Sequence, residues 1–146
     1  RHNNLCVVSI VRSGDILSEA ARRLAIGCST GKILVQRDEN DPLKRPTYFY
    51  HKLPKDVASK QVLLCDPMLA TGGSAIAAIG KLIDAGVQEE NILFLNVVSC
   101  PKGIMSVYKK YPKVRIVTAA IDKELNSEKF IVPGLGDFGD RYYGTE

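Results

Sequence analysis

Short β-branched apolar runs alternate along this chain with stretches of helical period, and their order predicts most of its elements. The run Leu5-Cys6-Val7-Val8-Ser9-Ile10-Val11 is too uniformly apolar for a half-exposed strand and reads as a buried one. After Arg12-Ser13-Gly14, Asp15 opens a helical stretch in which Ile16, Leu17, Ala20, Ala21 and Leu24 share one face, with Gly27 as the stop. Residues 32–36 form a second short strand, followed by the polar run Arg37-Asp38-Glu39-Asn40-Asp41-Pro42. Thr47-Tyr48-Phe49-Tyr50-His51 is extended, so a protruding hairpin arm is expected at about 40–54. Its Lys44, Arg45 and Lys52 read as solvated charge and its aromatics as packing.

Residues 61–65 are the clearest central strand, running into Asp66-Pro67 and a loop of small residues. A helix starts near Ser74, with Ile76, Ile79 and Ile83 toward the core and Gly86 just past its end. A strand at 92–98, a helix from Pro101 to Lys110 and a strand at 114–117 follow. This alternation predicts an α/β fold: an open, mostly parallel sheet with helices on both faces. Residues 130–146 break the pattern, and five Gly or Pro among them read as loop chemistry.

Composition changes this picture mainly by exclusion. The 146 residues, 45% hydrophobic and 25% charged, fit one globular domain and exclude collagen-like, coiled-coil and disordered classes. No apolar stretch approaches the ~18 residues of a membrane span. The net charge of +4 favours anionic small molecules and is too mild to argue for nucleic acid. Cys6, Cys28, Cys65 and Cys100 form no C-x-x-C pair, and His2 and His51 are the only histidines, which argues against zinc and for a reducing, cytoplasmic setting. The chain starts without Met and enters a strand almost at once. The expectation is therefore a single domain over 1–146 that is N-terminally truncated or part of a larger fusion.

The candidate chemistry lies in Asp66-Pro67-Met68-Leu69-Ala70-Thr71-Gly72-Gly73-Ser74, between a buried strand and a helix. In open α/β sheets ligands bind at the carboxyl ends of strands. Gly72 and Gly73 let backbone N–H groups approach a phosphate, Thr71 and Ser74 add hydroxyls, and the helix adds its positive end. A bare T-G-G-S is an ordinary strand-to-helix turn. Asp66, however, would be repelled by phosphate and suits ribose hydroxyls, directly or through a metal, so the stretch points to a phosphorylated sugar.

This segment resembles the phosphoribosyl-pyrophosphate (PRPP) signature of type I phosphoribosyltransferases, and D-P-M-L-A-T-G-G-S resembles the uracil phosphoribosyltransferase family in particular. Most type I signatures carry two adjacent acids where this chain has Cys65-Asp66; a single acid fits the uracil family. Val11-Arg12-Ser13-Gly14-Asp15 resembles the family's pyrophosphate loop, commonly R-A-G-E, from which Ser13 and Asp15 depart. Gln36-Arg37-Asp38-Glu39 resembles its second pyrophosphate-binding site, at Arg37. The tail from Phe130 to Glu146 is similar to its uracil-binding hood, at about 128–146, in which the resemblance implies uracil contacts from Ile131, Gly136 and Phe138. A Gly-rich loop can meet the acceptor–donor–acceptor edge of uracil with main-chain groups, and cytosine's amino group would leave a buried mismatch.

The resemblance implies a glycosyltransferase of pyrimidine salvage, forming UMP and pyrophosphate by displacement with inversion at the anomeric carbon. Asp66, Asp137 and Arg37 are the catalytic candidates; Arg12, Arg37, Asp137 and the stretch 66–74 are the PRPP candidates. Asp137 has two roles open to it, binding the ribose side of PRPP or helping uracil lose its N1 proton. Mg²⁺ is the implied cofactor, held mainly by substrate and water rather than by protein ligands. The implied partners are uracil and PRPP, a homodimer or higher oligomer, and GTP as a candidate activator, with no nucleic acid or membrane. Rival readings are transfer to another base, a nucleotide-sensing relative without activity, and one domain of a kinase–transferase fusion.

Overall fold

The first apolar run forms β1 (Leu5–Val11), and its five central residues are all buried. In the computed structural model, which describes residues 2–38, 40–43 and 45–145, this strand lies inside a mostly parallel sheet. Glu39 of the second arginine motif, Lys44 of the arm, and the terminal Arg1 and Glu146 lie outside the described residues. β2 (Ser29–Arg37) and β4 (Gln61–Cys65) flank β1 in parallel, and β6 (Ile92–Ser99) pairs with β4. β5 (Met68–Leu69) continues along β6 beyond β4, while β7 (Arg115–Ile121) takes the other side of β6. Only β3 (Pro46–Lys52), hairpinned onto β2 with a bulge near Leu34 and Val35, runs antiparallel in this sheet.

Helices cover both faces, as the uniform burial of β1 requires. Cys6, Val8 and Ile10 point into the main core with Phe94, Ile79 and Leu82, under α2 (Gly73–Asp84). Ser9 points the other way, where its hydroxyl donates to Asp15 of α1 (Gly14–Leu24) at 2.6 Å. α3 (Pro101–Lys110) starts at its proline and packs beside α2. No helix among the described residues is long and apolar enough to cross a membrane.

Three expectations change. α1 buries Gly14 and Ser18, with Ala25 just past its end, whereas Leu24 is 84% exposed and Ala20 is exposed too. The helix lies so close to the sheet that small residues face it, and a count of large apolar residues picks the neighbouring face. The aromatics of β3 do not pack into this chain's core: Phe49 and Tyr50 are 57% and 54% exposed on an edge strand. The tail is not wholly loop. It contains β9 (Ile131–Val132), paired with β8 (Glu124–Leu125), and a short helix, α4 (Phe138–Tyr143).

Candidate active site

β2, β1 and β4 are neighbours, so their carboxyl ends deliver Arg37, Arg12 and Asp66 to one edge of the sheet. Gly14 lets the turn after β1 reach that edge. A Cβ there would stand 2.2 Å from the Cys65 carbonyl oxygen, so any side chain would push the turn away from Asp66. The edge opens into a cleft of about 510 Å³. Every sequence-predicted residue except Pro67 lines it: Arg12, Arg37, Asp66, residues 68–74, Ile131, Gly136, Asp137 and Phe138. Pro67 acts on the scaffold, its carbonyl accepting from the N–H groups of Val97 and Val98 at 2.9 and 3.0 Å.

The loop after Asp66 is less free than its composition suggests. Its first part is strand β5, and Cys100 holds it twice, the N–H on the Leu69 carbonyl at 3.1 Å and the thiol on the Ala70 carbonyl at 3.1 Å. Gly72 then takes φ +88°, a left-handed conformation natural to glycine, and turns the chain into α2. No side chain caps the start of α2, though Thr71 Oγ1 accepts from the Gly73 N–H at 3.3 Å. The other first-turn amides, at Ser74 and Ala75, have no intrahelical acceptor and lie at the cleft with the helix's positive end behind them.

Asp66 is the most perturbed group in the cleft. Burial pushes its carboxyl up to about 7, against the Met68 N–H, the Arg37 charge and Ser13, which pull it down, while Asp137 adds to the rise. Its neighbour Cys65 stays a neutral thiol, pushed up to about 12 by burial first and by the Asp66 charge second. Of the adjacent pair Cys65-Asp66, only Asp66 can carry a charge near neutral pH. Among the described residues, no group of three or more His, Cys, Asp or Glu side chains is gathered as a metal site.

The hood is held by hydrogen bonds to the residues just before it and within itself. Asn126 Oδ1 accepts from Glu128 and Phe130 N–H, Asp122 Oδ2 accepts from Gly134 N–H at 2.8 Å, and Arg141 donates to the Leu135 carbonyl at 2.8 Å. Ile131 is buried against Ala70, Val98 and Cys100, which ties the hood to the loop after Asp66. Asp137 caps α4, its Oδ1 accepting from the Asp140 N–H at 2.8 Å. Sequence reasoning missed two groups here. Lys129 lines the cleft and donates to the Leu43 carbonyl at 2.5 Å, linking hood to hairpin. Asp140, Tyr143 and Thr145 surround Arg12, a meeting of residues at least 128 positions apart for which spacing gives no signal.

The uracil phosphoribosyltransferase family model matches residues 1–145. A "Uracil phosphoribosyltransferase" of Dictyostelium discoideum is 51% identical over 144 residues, which are 99% of this chain and 66% of that protein. The chain thus spans just under two thirds of that relative's length. The solved structure of the AQ2163 protein from Aquifex aeolicus superposes with a TM-score of 0.90 at 29% identity, covering 100% of this chain and 68% of that one. A purine phosphoribosyltransferase from Pyrococcus horikoshii shares the fold at a TM-score of 0.58 and 15% identity, over 83% of this chain and 70% of its own. The architecture is that of the type I phosphoribosyltransferases.

Proposed function

The chain belongs to the uracil phosphoribosyltransferase family, and from that premise we propose that its cleft transfers the phosphoribosyl group of PRPP to N1 of uracil, giving UMP and pyrophosphate. The observation that carries this reading is the meeting of a phosphate loop, two strand-end arginines and a Gly-rich hood in one cleft. In the reaction, the anomeric C–O bond to pyrophosphate breaks, the C–N1 bond forms on the opposite face, and N1 loses its proton. The sugar carries oxocarbenium character at the transition state, so positioning and charge placement are the protein's main work.

The amides and hydroxyls of Thr71, Gly72, Gly73 and Ser74 hold the 5′-phosphate. Asp66 accepts from the ribose hydroxyls in its ionised form. Arg12 and Arg37 face the pyrophosphate, for which planar guanidinium forks are well matched. Asp137 has one oxygen engaged as the α4 cap, which leaves Oδ2 for the ribose side or for the N1 proton. The hood's main chain around Ile131, Gly136 and Phe138 reads the far edge of uracil.

The carboxylates that line the cleft are those of Asp66 and Asp137. Such a sparse set fits Mg²⁺, which keeps waters and takes its remaining ligands from polyphosphate. Bound there, the ion supplies charge neutralisation to the departing pyrophosphate. Four free cysteines, three of them buried, suit a reducing, cytoplasmic compartment. A homo-oligomer fits the exposed apolar Leu24, Ile26, Phe49 and Ile121. Activation by GTP belongs to the same reading and rests on the family alone. The test is pyrophosphate release from PRPP and Mg²⁺ with and without uracil. Release that depends on uracil is expected, and folded protein that releases none, or releases it equally without uracil, overturns the reading.

A further inference from the structure

Arg12 stands at the rim of the cleft, yet its guanidinium is already engaged from one side. One terminal nitrogen donates to Asp140 Oδ1 at 2.7 Å and the other to Thr145 Oγ1 at 2.9 Å. The Thr145 hydroxyl itself donates to the same Asp140 oxygen at 2.6 Å, closing the triangle. The Tyr143 ring lies 5.1 Å from the guanidinium carbon, and its hydroxyl donates to the Arg12 carbonyl at 3.3 Å. Gly139, with no side chain, lies against the same nitrogen that reaches Asp140. All of these groups come from α4 and the two residues behind it, directly after Gly136, Asp137 and Phe138.

As a stabilising device this cluster is weak. The side chains of Arg12 and Asp140 are 45% and 37% exposed, and an ion pair so placed contributes little to folding. Orientation is what several contacts on one guanidinium do provide. A free arginine surrenders rotamer freedom when it binds substrate, and one already held does not. The fork has five N–H donors, so two contacts leave others for phosphate oxygens. Charge favours a persistent pair as well: the Thr145 hydroxyl and the Arg12 guanidinium hold the Asp140 carboxyl below its usual range.

We propose that Asp140, supported by Thr145 and Tyr143, is the positioning residue for Arg12, so that the end of the hood presents the arginine of the pyrophosphate subsite to PRPP. This rests on the assignment of Arg12 to pyrophosphate made above. Asp140 touches no reacting atom and acts only through the guanidinium.

The test is steady-state kinetics on the intact protein with Asp140→Ala, Asp140→Asn, Arg12→Ala and the Arg12→Ala/Asp140→Ala pair. Asp140→Ala is expected to raise KM for PRPP about ten-fold, the worth of one charge-assisted hydrogen bond at a partly exposed site. KM for uracil should stay within about two-fold, and Asn, which keeps an acceptor, should restore part of the loss. In the Arg12→Ala background, Asp140→Ala should add almost nothing. Equal rises in both KM values, or additive losses in the double variant, mark Asp140 as a general support of the hood and overturn the proposal. An unchanged KM for PRPP in Asp140→Ala, with Arg12→Ala still impaired, overturns the positioning role alone. If Arg12→Ala also leaves that KM unchanged, the pyrophosphate assignment beneath it falls.

Discussion

Asp66 is the residue whose charge the cleft governs most strongly, and its titration connects function to stability. Its folded carboxyl sits near 7 against an ordinary 3.8, so between those values the folded state holds the proton more readily than the unfolded chain. Stability must therefore fall as pH rises through that window, because ionising the buried acid costs free energy only in the fold. The Asp66→Asn variant lacks this dependence. Melting curves of the two proteins taken from about pH 4 to about pH 8 should show the wild type losing ground to the variant as pH rises, levelling off above 7. At neutral pH the variant should melt no lower than the wild type, yet turn over roughly 10²-fold or more slowly. A large drop in melting temperature at every pH would instead make Asp66 a structural residue. The acid itself was legible in the sequence, as a carboxylate closing an apolar strand before a small-residue loop. Its elevated pKa was not, since that comes first from burial by the assembled fold, with Asp137 adding to the rise and Arg37 and Ser13 opposing it from other elements.

Among the elements, the turn from β1 into α1 shows how close packing shapes the site. Gly14, Ser18 and Ala25 follow one face of α1 and its extension, and they let the helix approach the sheet until Gly14 touches the end of β4. Gly14→Ala should destabilise by about 1–3 kcal/mol, the usual cost of overpacking, read as a lower denaturant midpoint with unchanged slope. Activity should fall with it, because the shift separates Arg12 from Asp66. An alanine tolerated without loss of stability or activity would show that the turn has slack. The strand and helix order was readable because each period is local. The face of α1 was not, because small residues at a close approach leave no trace in a hydrophobicity count. The tail lies between these cases. Asp137 as cap and Gly144 in the left-handed conformation bracket a six-residue helix with ordinary signals, but five Gly and Pro nearby hid them.

For the whole molecule, function comes from bringing distant segments to one sheet edge. Arg12 follows β1, Arg37 ends β2, the small-residue loop 66–74 follows β4, and the hood arrives from the end of the chain. A net charge of +4 says little by itself; its use lies in placing Arg12 and Arg37 where a polyanion would sit. Motif spelling revealed which segments belong together. Partners such as Asp140 and Lys129 required the fold, because their contacts join chain positions that no local pattern connects. The hood's choice of base is the part of the reading that sets uracil apart from every other acceptor. The most direct measurement gives the protein PRPP and Mg²⁺ with equal amounts of uracil, cytosine and adenine, then identifies the nucleotide formed. UMP alone is the expected product; CMP, AMP or no nucleotide from folded protein contradicts it.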